Sequence, residues 1–276
     1  MNVMRFATVI LNRNLPDPTN ALVEHIFEYD GIEQDVYVLE AGSDNDKLSK
    51  YCTWYVNTNE VREKGLRYNR GMNYALLNLY QENKWEKYDA FLLLTNDTEL
   101  SKKPTIIPLS KLLEEHPKVG ILSPLSKKWG ERYLLKDQTT KYFWHIHNNA
   151  YVLRRKFIEV IMEKVNPDHL NFCFDGNNFR GYLSEDELIA KAYTNDWAAA
   201  ITSEVYAEHK ESYLLNLNKI IKTESYDENM KLYIEEGNQW LRRKYGFNSR
   251  WTMVQYVKMF YDKFFDFNPE YEKYRL

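Results

Sequence analysis

The amino-acid sequence predicts an α/β fold in which a mostly parallel sheet is flanked by helices, with a helical appendage at the C-terminus. Apolar, β-rich runs alternate with helical patterns over the first 125 residues, and the most hydrophobic run is AFLLL at residues 90–94. This alternation is typical of a parallel sheet that carries helices on both faces. Beyond about residue 213 the chain has helical patterns only.

The first 125 residues are predicted to contain alternating strands and helices. The run FATVIL at residues 6–11 predicts the first buried strand. Asp17 followed by Pro18 predicts the N-cap and first turn of a helix that carries Leu22, Ile26 and Phe27 on one face. The other elements, in order, are strands at 35–39 and 52–56, a helix at 71–80, a strand at 90–94, a helix at 106–116 and a strand at 119–122.

After about residue 130 the pattern becomes mixed. Residues 142–146, 150–153, 198–201 and 204–206 have the character of strands, whereas 155–164 and 185–193 have helical spacing. The C-terminal segment 251–265 is apolar on more than one face of its predicted helix. Such a helix must bury against the main domain, a second subunit or a membrane surface. Core packing is the first interpretation, and a homodimer formed through the C-terminal helices is the second.

Composition argues against several classes of partner. The 276 residues are 44% hydrophobic, enough for a sizeable core, and the net charge of −3 does not favour nucleic acid as a partner.

Cys52 and Cys173 resemble the reduced thiols of an intracellular protein. The N-terminal apolar run is too short for a signal peptide, and no window approaches the ~20 apolar residues of a membrane-spanning helix. A cytoplasmic protein is predicted, with peripheral contact at the inner face of a membrane left open.

Polar residues, TNDTE at 95–99, follow the most hydrophobic predicted strand. Ligands of parallel α/β sheets bind at the carboxyl ends of strands, so this loop and the loops after Leu11 and Leu39 are expected on one rim. At that rim Asp97 could hold a hard divalent cation such as Mg²⁺ or Mn²⁺. From these residues alone, Asp97 is an equally good candidate for capping the turn.

Three carboxylates open the helix predicted at 185–193. Ser184 and Glu187 have the spacing of a capping box, and acidic residues in a first turn complement the helix dipole. That structural role is the preferred interpretation of Glu187. Glu185 or Asp186, mounted on the same turn, could act as a general base that projects into a cleft.

Histidines offer a second kind of candidate ligand. His209 follows the last predicted strand, and imidazole is a usual ligand of Mn²⁺, although a lone histidine is more often a surface residue. His145 and His147 alternate along a predicted strand and so share one face. Their spacing is a weak signal for zinc.

The stretch GLRYNRGMN at 65–73 places glycine and amide groups before a helix, where they could hold a phosphate or a nucleoside. It matches neither the GxGxxG fingerprint nor the P-loop, so dinucleotide-binding and ATPase sites of those types are not predicted. Four basic residues further along are weaker candidates for contacts with phosphates or an acidic acceptor: Arg132, Lys136, Arg154 and Arg155.

In their order, these motifs resemble those of the family 2 glycosyltransferases, which have the GT-A fold. VILNR at 9–13 looks like the first strand and loop of that family, and LEAGSD at 39–44 is similar to its VDNGSTD segment. GLRYNRGMNYAL at 65–76, LTNDTE at 94–99 and SEDEL at 184–188 resemble its G…N.G…AL, LNNDTE and ED.dL segments. His209 falls where the family often has a histidine. The resemblance covers about residues 5–212.

The resemblance implies an inverting, metal-assisted transfer of a hexosyl or deoxyhexosyl group from a nucleotide-diphosphate sugar to a hydroxyl of a glycan or lipid-linked glycan, as in polysaccharide biosynthesis. It implies a nucleotide-sugar half at 1–125, an acceptor half at 126–212 and an extension at 213–276. Asp97 and His209 would hold Mn²⁺ or Mg²⁺, and Asp186, with Glu185 as second choice, would be the base. Donor contacts would come from Asn12, Glu40, Gly42, Asn69, Asn96 and Asp97.

Two departures from the family pattern keep other functions open. Thr95 replaces the first aspartate of the DxD triplet, and Trp197 stands where a small residue is expected. A non-catalytic sugar-nucleotide-binding protein is favoured if Thr95 means that the metal site is lost. A nucleotidyltransferase of related fold would normally carry a Gly-rich, basic loop after the first strand, and NRNLP at 12–16 is not such a loop.

Overall fold

The computed structural model describes residues 4–31, 34–146, 150–210 and 224–276. Its strands are β1 (Phe6–Asn12), β2 (Gln34–Ala41), β3 (Cys52–Val56), β4 (Ala90–Thr95), β5 (Thr98–Leu100), β6 (Val119–Leu125), β7 (Thr140–Tyr142), β8 (Ala150–Arg154) and β9 (Ala198–His209). They form one sheet in the order β3-β2-β1-β4-β8-β6-β9-β5, and β7 pairs with β9. The predicted α/β class is confirmed.

Helices connect and cover these strands. They are α1 (Pro16–Asp30), α2 (Asn59–Lys64), α3 (Arg67–Gln81), α4 (Ile106–Glu115), α5 (Arg155–Ile161), α6 (Ser184–Thr194), α7 (Tyr226–Tyr245) and α8 (Arg250–Phe267). Short 3-10 turns lie at Asn45–Lys47, Trp85–Lys87, Gly130–Tyr133 and Pro269–Tyr274. The sequence pattern missed α2, whose first turn is capped by the Thr58 side chain accepting from the Val61 backbone N–H.

Strand β1 lies at the centre of the parallel half of the sheet and brings the predicted rim together. It pairs in parallel with both β2 and β4, and Leu11 is in register with Leu39 on one side and with Thr95 on the other. Most side chains of β1 and β4 are fully buried, as expected for strands covered on both faces. The carboxyl ends of β1, β2 and β4 therefore meet at one edge, as predicted.

Two strands of the second half differ from the prediction. The strand predicted at 142–146 ends at Tyr142, after which the chain leaves the sheet and brings His145 Nδ1 to 3.2 Å from Asp186 Oδ1. The strands predicted at 198–201 and 204–206 are one strand, β9, because its first half pairs with β6 and β7 and its last residues pair with β5. This long β9 carries His209 to the register of Thr98.

The predicted start of the first helix is two residues too late. Helix α1 begins at Pro16, its N-cap is Leu15, and no side chain caps it. Asp17 lies inside the first turn, where its charge complements the helix dipole. The Leu15 backbone N–H donates instead to Asn12 Oδ1 at 3.3 Å, so the end of β1 fixes the start of the helix.

The C-terminal helices pack on the α/β part of the chain. Tyr261 and Phe264 of α8 contact Tyr193 of α6, each with its ring centroid 5.5 Å from the tyrosine ring. Both aromatic side chains are buried, so one face of this apolar segment packs on the core, and the homodimer stays a prediction. Among the described residues, no helix combines the length and apolar character needed to cross a bilayer. The division of the chain at residue 212 stays a prediction.

Candidate active site

A cleft of about 700 Å³ opens at the carboxyl ends of β1 and β4. Its walls come from the loops after these strands, the start of α3, the turn before α6, the end of β9 and one face of α7. The predicted site residues that line it are Asn12, Asn69, Asn96, Asp97, Glu185 and His209. Glu40, Gly42 and Asp186 lie behind its walls.

Asp97 is held at the cleft by hydrogen bonds to both of its carboxylate oxygens. Thr95 Oγ1 donates to Asp97 Oδ1 at 2.5 Å, and His209 Nδ1 lies 3.2 Å from Asp97 Oδ2. Burial alone raises the pKa of Asp97, but the contacts with His209 and Thr95 outweigh it and hold that pKa below its usual value. Asp97 is therefore a charged group, and Thr95 orients it instead of adding a second carboxylate.

Asp97 and His209 form a pair suited to a divalent cation that is shared with a diphosphate. In the described part of the chain, no three His, Cys, Asp or Glu side chains form a cluster that could hold a metal ion. Mg²⁺ is commonly bound by one or two carboxylates together with substrate phosphates. The pair fits that arrangement, and its imidazole favours Mn²⁺ over Mg²⁺.

Asn12 connects the cleft to a buried carboxylate. Its Nδ2 donates to Glu40 Oε1 and Oε2 at 3.0 and 2.9 Å, and its Oδ1 accepts from Asn96 Nδ2 at 2.8 Å. Glu40 is fully buried and also accepts from Ser43 Oγ at 2.5 Å and from the Ser49 backbone N–H at 2.7 Å. Glu40 thus holds the Asn12 side chain, and through it that of Asn96, from behind the wall, and a donor contact of its own stays a prediction.

Gly42 also acts through packing and not at the cleft surface. Its φ is +82°, in the region that favours glycine, and a Cβ atom there would lie 2.0 Å from the Val61 carbonyl oxygen of α2. The backbone of the loop after β2 can therefore approach α2 only because residue 42 has no side chain.

Gly42→Ala is expected to lower the free energy of unfolding by about 2–4 kcal/mol, because both the backbone strain and the clash must be relieved. Denaturant unfolding monitored by circular dichroism measures the change. Gly130→Ala is the matched control, since a Cβ at Gly130 would meet nothing within 4 Å. Equal losses of stability in the two variants would contradict this explanation of Gly42.

Asn69 ties α3 to the start of α6. Its Nδ2 lies within hydrogen-bonding distance of Ser184 Oγ at 2.8 Å, and of the carbonyl oxygens of Asp175 and Asn178 at 3.0 and 3.1 Å. Asn69 lines the cleft, although almost none of its surface is exposed to solvent. It therefore holds the turn that carries Glu185, which is a positioning role in addition to any contact with a donor.

The capping box predicted for α6 is wrong. The N-cap is Leu183, in a left-handed conformation with φ +55°, and Ser184 is already helical, with its hydroxyl turned to Asn69. Glu187 instead accepts from Tyr245 Oη at 2.7 Å and pairs with Lys244 Nζ at 2.6 Å. Its role is structural, as preferred from sequence, but its partners belong to α7.

The two candidate bases face different surroundings. Glu185 is partly exposed and lines the cleft, whereas Asp186 is fully buried and its Oδ1 contacts His145 Nδ1 at 3.2 Å. Although part of Glu185 faces the cleft, its carboxyl group is largely removed from water, and this burial together with the charge of Asp186 raises its pKa to about 8, with His145 and Arg250 acting in the opposite direction. The hydrogen bond to Asp186 raises the pKa of His145. His147 lies outside the described residues.

Part of the cleft comes from residues that the sequence patterns did not single out. Helix α7, predicted only as part of an appendage, contributes Tyr226, Asn229, Met230 and Tyr233. Their spacing places them on one face of a helix, which is the one signal for them in the sequence. Arginines also line the cleft, at Arg13, Arg67 and Arg180.

The basic residues singled out from sequence do not line the cleft. Arg154 donates through Nε and Nη2 to the carbonyl oxygens of Val119 and Leu113, at 2.9 and 2.6 Å. Arg155 pairs with Glu159 at 2.9 Å in the first turn of α5. These two arginines are structural, and the cationic part of the cleft lies elsewhere.

No family model and no curated protein matches the sequence. Solved structures match its fold. The structure of GalNAc-T7 with UDP, GalNAc and Mn²⁺ superimposes with a TM-score of 0.53 and 9% sequence identity, covering 96% of this chain and 56% of that chain. The fold is GT-A-like. The chain spans a little more than half the length of this relative.

Two further solved structures match with lower scores. The mannosyltransferase PcManGT from Pyrobaculum calidifontis, in complex with GDP-Man and Mn²⁺, has a TM-score of 0.48 and 11% identity over 93% of this chain and 74% of that chain. S. aureus TarS 1-349, in complex with UDP, has a TM-score of 0.49 and 14% identity over 88% and 72%. The reaction itself has to be argued from the residues of the cleft.

Proposed function

We propose that this chain is an inverting glycosyltransferase that moves a sugar from a nucleotide-diphosphate sugar to an acceptor hydroxyl. The observation that carries the proposal is the presence of the Asp97–His209 pair and of Glu185 in one cleft, at the strand ends of a GT-A-like sheet. The pair is an anchor for a cation and Glu185 is a carboxylate with a raised pKa. This reaction uses both.

The donor would lie along the ends of β1 and β4. Asn12, Asn96 and Asn69 supply the amide groups of that wall, and Asp97 with His209 would hold Mn²⁺ or Mg²⁺. Such a cation, when bound, neutralises the negative charge that develops on a diphosphate leaving group. The network of Glu40, Asn12 and Asn96 keeps the wall fixed before the donor arrives.

Glu185 is the preferred general base, which reverses the order implied by the resemblance. It lines the cleft, whereas Asp186 is enclosed and contacts His145. Glu185 would take the proton of the acceptor hydroxyl while that oxygen bonds to the anomeric carbon. The bond between the anomeric carbon and the diphosphate oxygen breaks at the same time. Attack from the face opposite the leaving group inverts the configuration.

The transfer rate is expected to rise with pH until about pH 8. A general base must be deprotonated, and with a pKa of about 8 the Glu185 carboxyl is mostly neutral at lower pH. The value of kcat/KM should increase by about tenfold per pH unit below that pKa and level off above it. A pH–rate profile measures this, and Glu185→Gln should lose the rising limb. A flat wild-type profile from about pH 6 to pH 9 would contradict the assignment.

The acceptor would lie against α7. Tyr226 and Met230 are 47% and 36% exposed, and both line the cleft with Tyr233. Aromatic side chains with a polar tip suit a sugar ring, which has apolar faces and polar edges. A glycan or a lipid-linked glycan is therefore the proposed acceptor class. Helix α7 is fixed in place by Trp240 Nε1 donating to Asp175 Oδ2 at 3.0 Å.

Release of the leaving nucleotide tests the proposed reaction. Incubation with UDP- and GDP-sugars and Mn²⁺ should liberate the nucleoside diphosphate, slowly with water and faster with a glycan acceptor. A nucleotidyltransferase would instead release pyrophosphate from a nucleoside triphosphate and a sugar phosphate. Release of pyrophosphate, or no turnover of any sugar nucleotide, would refute the glycosyltransferase proposal.

One observation favours a second candidate, a non-catalytic protein that binds sugar nucleotides. Thr95 stands where the resembling family has a carboxylate, so the residues that the structure describes offer the cation one carboxylate and one imidazole. A shortage of ligands weakens metal binding, and catalysis would suffer more than nucleotide binding. Tight binding of a sugar nucleotide without turnover, with or without Mn²⁺, would identify this function.

A further inference from the structure

Arginine side chains gather on one wall of the cleft around a single aromatic ring. The guanidinium carbons of Arg67, Arg70 and Arg180 lie 5.6, 4.8 and 5.5 Å from the ring centroid of Phe179. Arg67 and Arg180 also line the cleft, together with Arg13. Stacking on an aromatic face is a favourable environment for a guanidinium, so Phe179 holds these cations close together.

One carboxylate, that of Glu224, lies between two of these guanidiniums. Arg67 Nη2 contacts Glu224 Oε1 at 2.6 Å, and Arg180 Nη2 donates to Glu224 Oε2. The Glu224 side chain is only 7% exposed. One arginine therefore serves each oxygen of this carboxylate, which is an arrangement that also suits two oxygens of a phosphate.

Glu224 does not engage all the hydrogen-bond donors of the arginines at this wall. Arg13 donates to the carbonyl oxygens of Arg62 and Glu63 at 2.9 and 2.7 Å. Burial and the nearby charge of Arg67 lower the pKa of Arg13 to about 10, while Asp44 and Glu224 act in the opposite direction. The Nε atoms of Arg13 and Arg67 are buried and have no hydrogen-bond partner within the described ranges.

Two further carboxylates, Glu236 and Glu60, contact arginines of this group but do not contact Arg67 Nε or Arg13 Nε. Glu236 accepts from Arg180 Nη1 at 2.8 Å through both oxygens, so it pairs with the nitrogen of Arg180 that does not contact Glu224. Glu60 lies 3.7 Å from Arg70, but its side chain is 68% exposed and the pair is weak. Asp44 and Glu224 both act on the charge of Arg13, and Glu224 and Glu236 both act on that of Arg67, so Glu224 is the acidic neighbour that these two arginines share.

We propose that Arg67 and Arg180 form a binding site for an oxyanion of the substrate, and that Glu224 is the internal occupant of this site. A phosphate or diphosphate carries more charge and more acceptor oxygens than a carboxylate, so it can replace Glu224 between the two arginines. The identity of the natural ligand of this site rests on the proposed function. Two sources share this chemistry, namely the diphosphate of the donor and an acidic group on the acceptor.

Removing the charge of Glu224 tests the site directly. Glu224→Gln keeps the shape of the side chain but frees the two guanidiniums. It is expected to bind inorganic pyrophosphate about tenfold more tightly than the wild type, measured by isothermal titration calorimetry at low ionic strength. Glu235→Gln is the matched control, because Glu235 lies on α7 with 52% of its side chain exposed. The control should bind pyrophosphate as the wild type does.

Equal pyrophosphate affinities of Glu224→Gln and Glu235→Gln would overturn the proposal. The double variant Arg67→Gln/Glu224→Gln should lose the gain, and a gain that persists in it would also overturn the site. Melting temperatures of all variants, recorded by circular dichroism, show whether each is folded under the titration conditions.

The source of the oxyanion follows from two further titrations of Glu224→Gln. If Glu224→Gln binds UDP or GDP more tightly than the wild type does, the site belongs to the donor diphosphate. If it binds a sugar phosphate more tightly and no nucleoside diphosphate more tightly, the site belongs to an acidic acceptor. Pyrophosphate binding needs no turnover, so its failure and that of the proposed function are separable. A gain in pyrophosphate affinity without any sugar transfer would uphold the oxyanion site and refute the proposed function. Sugar transfer without that gain would uphold the proposed function and refute the oxyanion site.

Discussion

Replacing Asp97 with asparagine is expected to lower the rate of sugar transfer by about 10²–10³-fold and to remove its dependence on Mn²⁺. The substitution keeps the size of the side chain and its contact with Thr95, but it removes the only carboxylate of the cation pair. Initial rates with a sugar nucleotide, over a series of Mn²⁺ concentrations, measure the effect. Nucleoside diphosphate affinity in the presence of Mn²⁺ should fall in parallel.

Glu99→Gln provides the matched control for Asp97→Asn. Glu99 lies two residues further along, its side chain is 48% exposed, and it pairs with Lys210 at 2.5 Å. Removing that charge should leave both the rate and its response to Mn²⁺ unchanged. If Asp97→Asn retained the wild-type response to Mn²⁺, the cation would not be held at Asp97 and the proposed site would be misplaced.

Glu185→Gln is expected to lower kcat by about 10²–10⁴-fold while leaving nucleoside diphosphate affinity within a factor of about two. A glutamine cannot accept the proton of the acceptor hydroxyl, whereas the donor contacts proposed at the ends of β1 and β4 are untouched. Steady-state kinetics with saturating acceptor measure kcat. Calorimetric titration with UDP or GDP measures the affinity.

Asp186→Asn separates the two candidate bases. Asp186 is fully buried against His145, so the substitution should lower the free energy of unfolding by about 1–3 kcal/mol. It should reduce kcat far less than Glu185→Gln does. If Asp186→Asn abolished turnover at unchanged stability and Glu185→Gln remained active, Asp186 would be the base. That outcome would restore the order implied by the family resemblance.

Residues fixed by strand register were predictable from the sequence. The apolar runs of β1 and β4 specify buried parallel strands, and the polar residues that end them must then meet at one edge. Asn12 and Asp97 reach the cleft for that reason. His209 was placed at the site by the family resemblance, and it reaches the cleft because β9 pairs antiparallel with β5 and brings it into register with Thr98.

Residues whose role depends on distant partners were not predictable from local patterns. Ser184 and Glu187 have capping-box spacing, yet Asn69 and the α7 residues Lys244 and Tyr245 compete for their side chains. A local motif predicts a local hydrogen bond, and a buried partner from another element can replace it. The carboxylate of Glu40, which holds Asn12 from behind, is hidden from sequence patterns for the same reason.

The contribution of α7 was missed because an amphipathic helix does not indicate which surface it covers. Tyr226, Met230 and Tyr233 show helical spacing, but their position over the cleft depends on anchors far away in the sequence, such as Trp240 on Asp175. The same helix region brings Glu224 between Arg67 and Arg180. The predicted C-terminal extension, 213–276, therefore contributes α7 to the proposed site and α8 to the core.

The most direct test of the account is a thermal-shift titration of the wild-type protein with nucleoside diphosphates, with and without Mn²⁺. A ligand that binds only the folded state raises the melting temperature, and a concentration of about 100 times Kd should raise it by on the order of 5 °C. We expect such a shift for one nucleoside diphosphate, and we expect it to be larger with Mn²⁺ than without it. If no nucleoside diphosphate at millimolar concentration shifts the melting temperature under either condition, the cleft is not a nucleotide-sugar site.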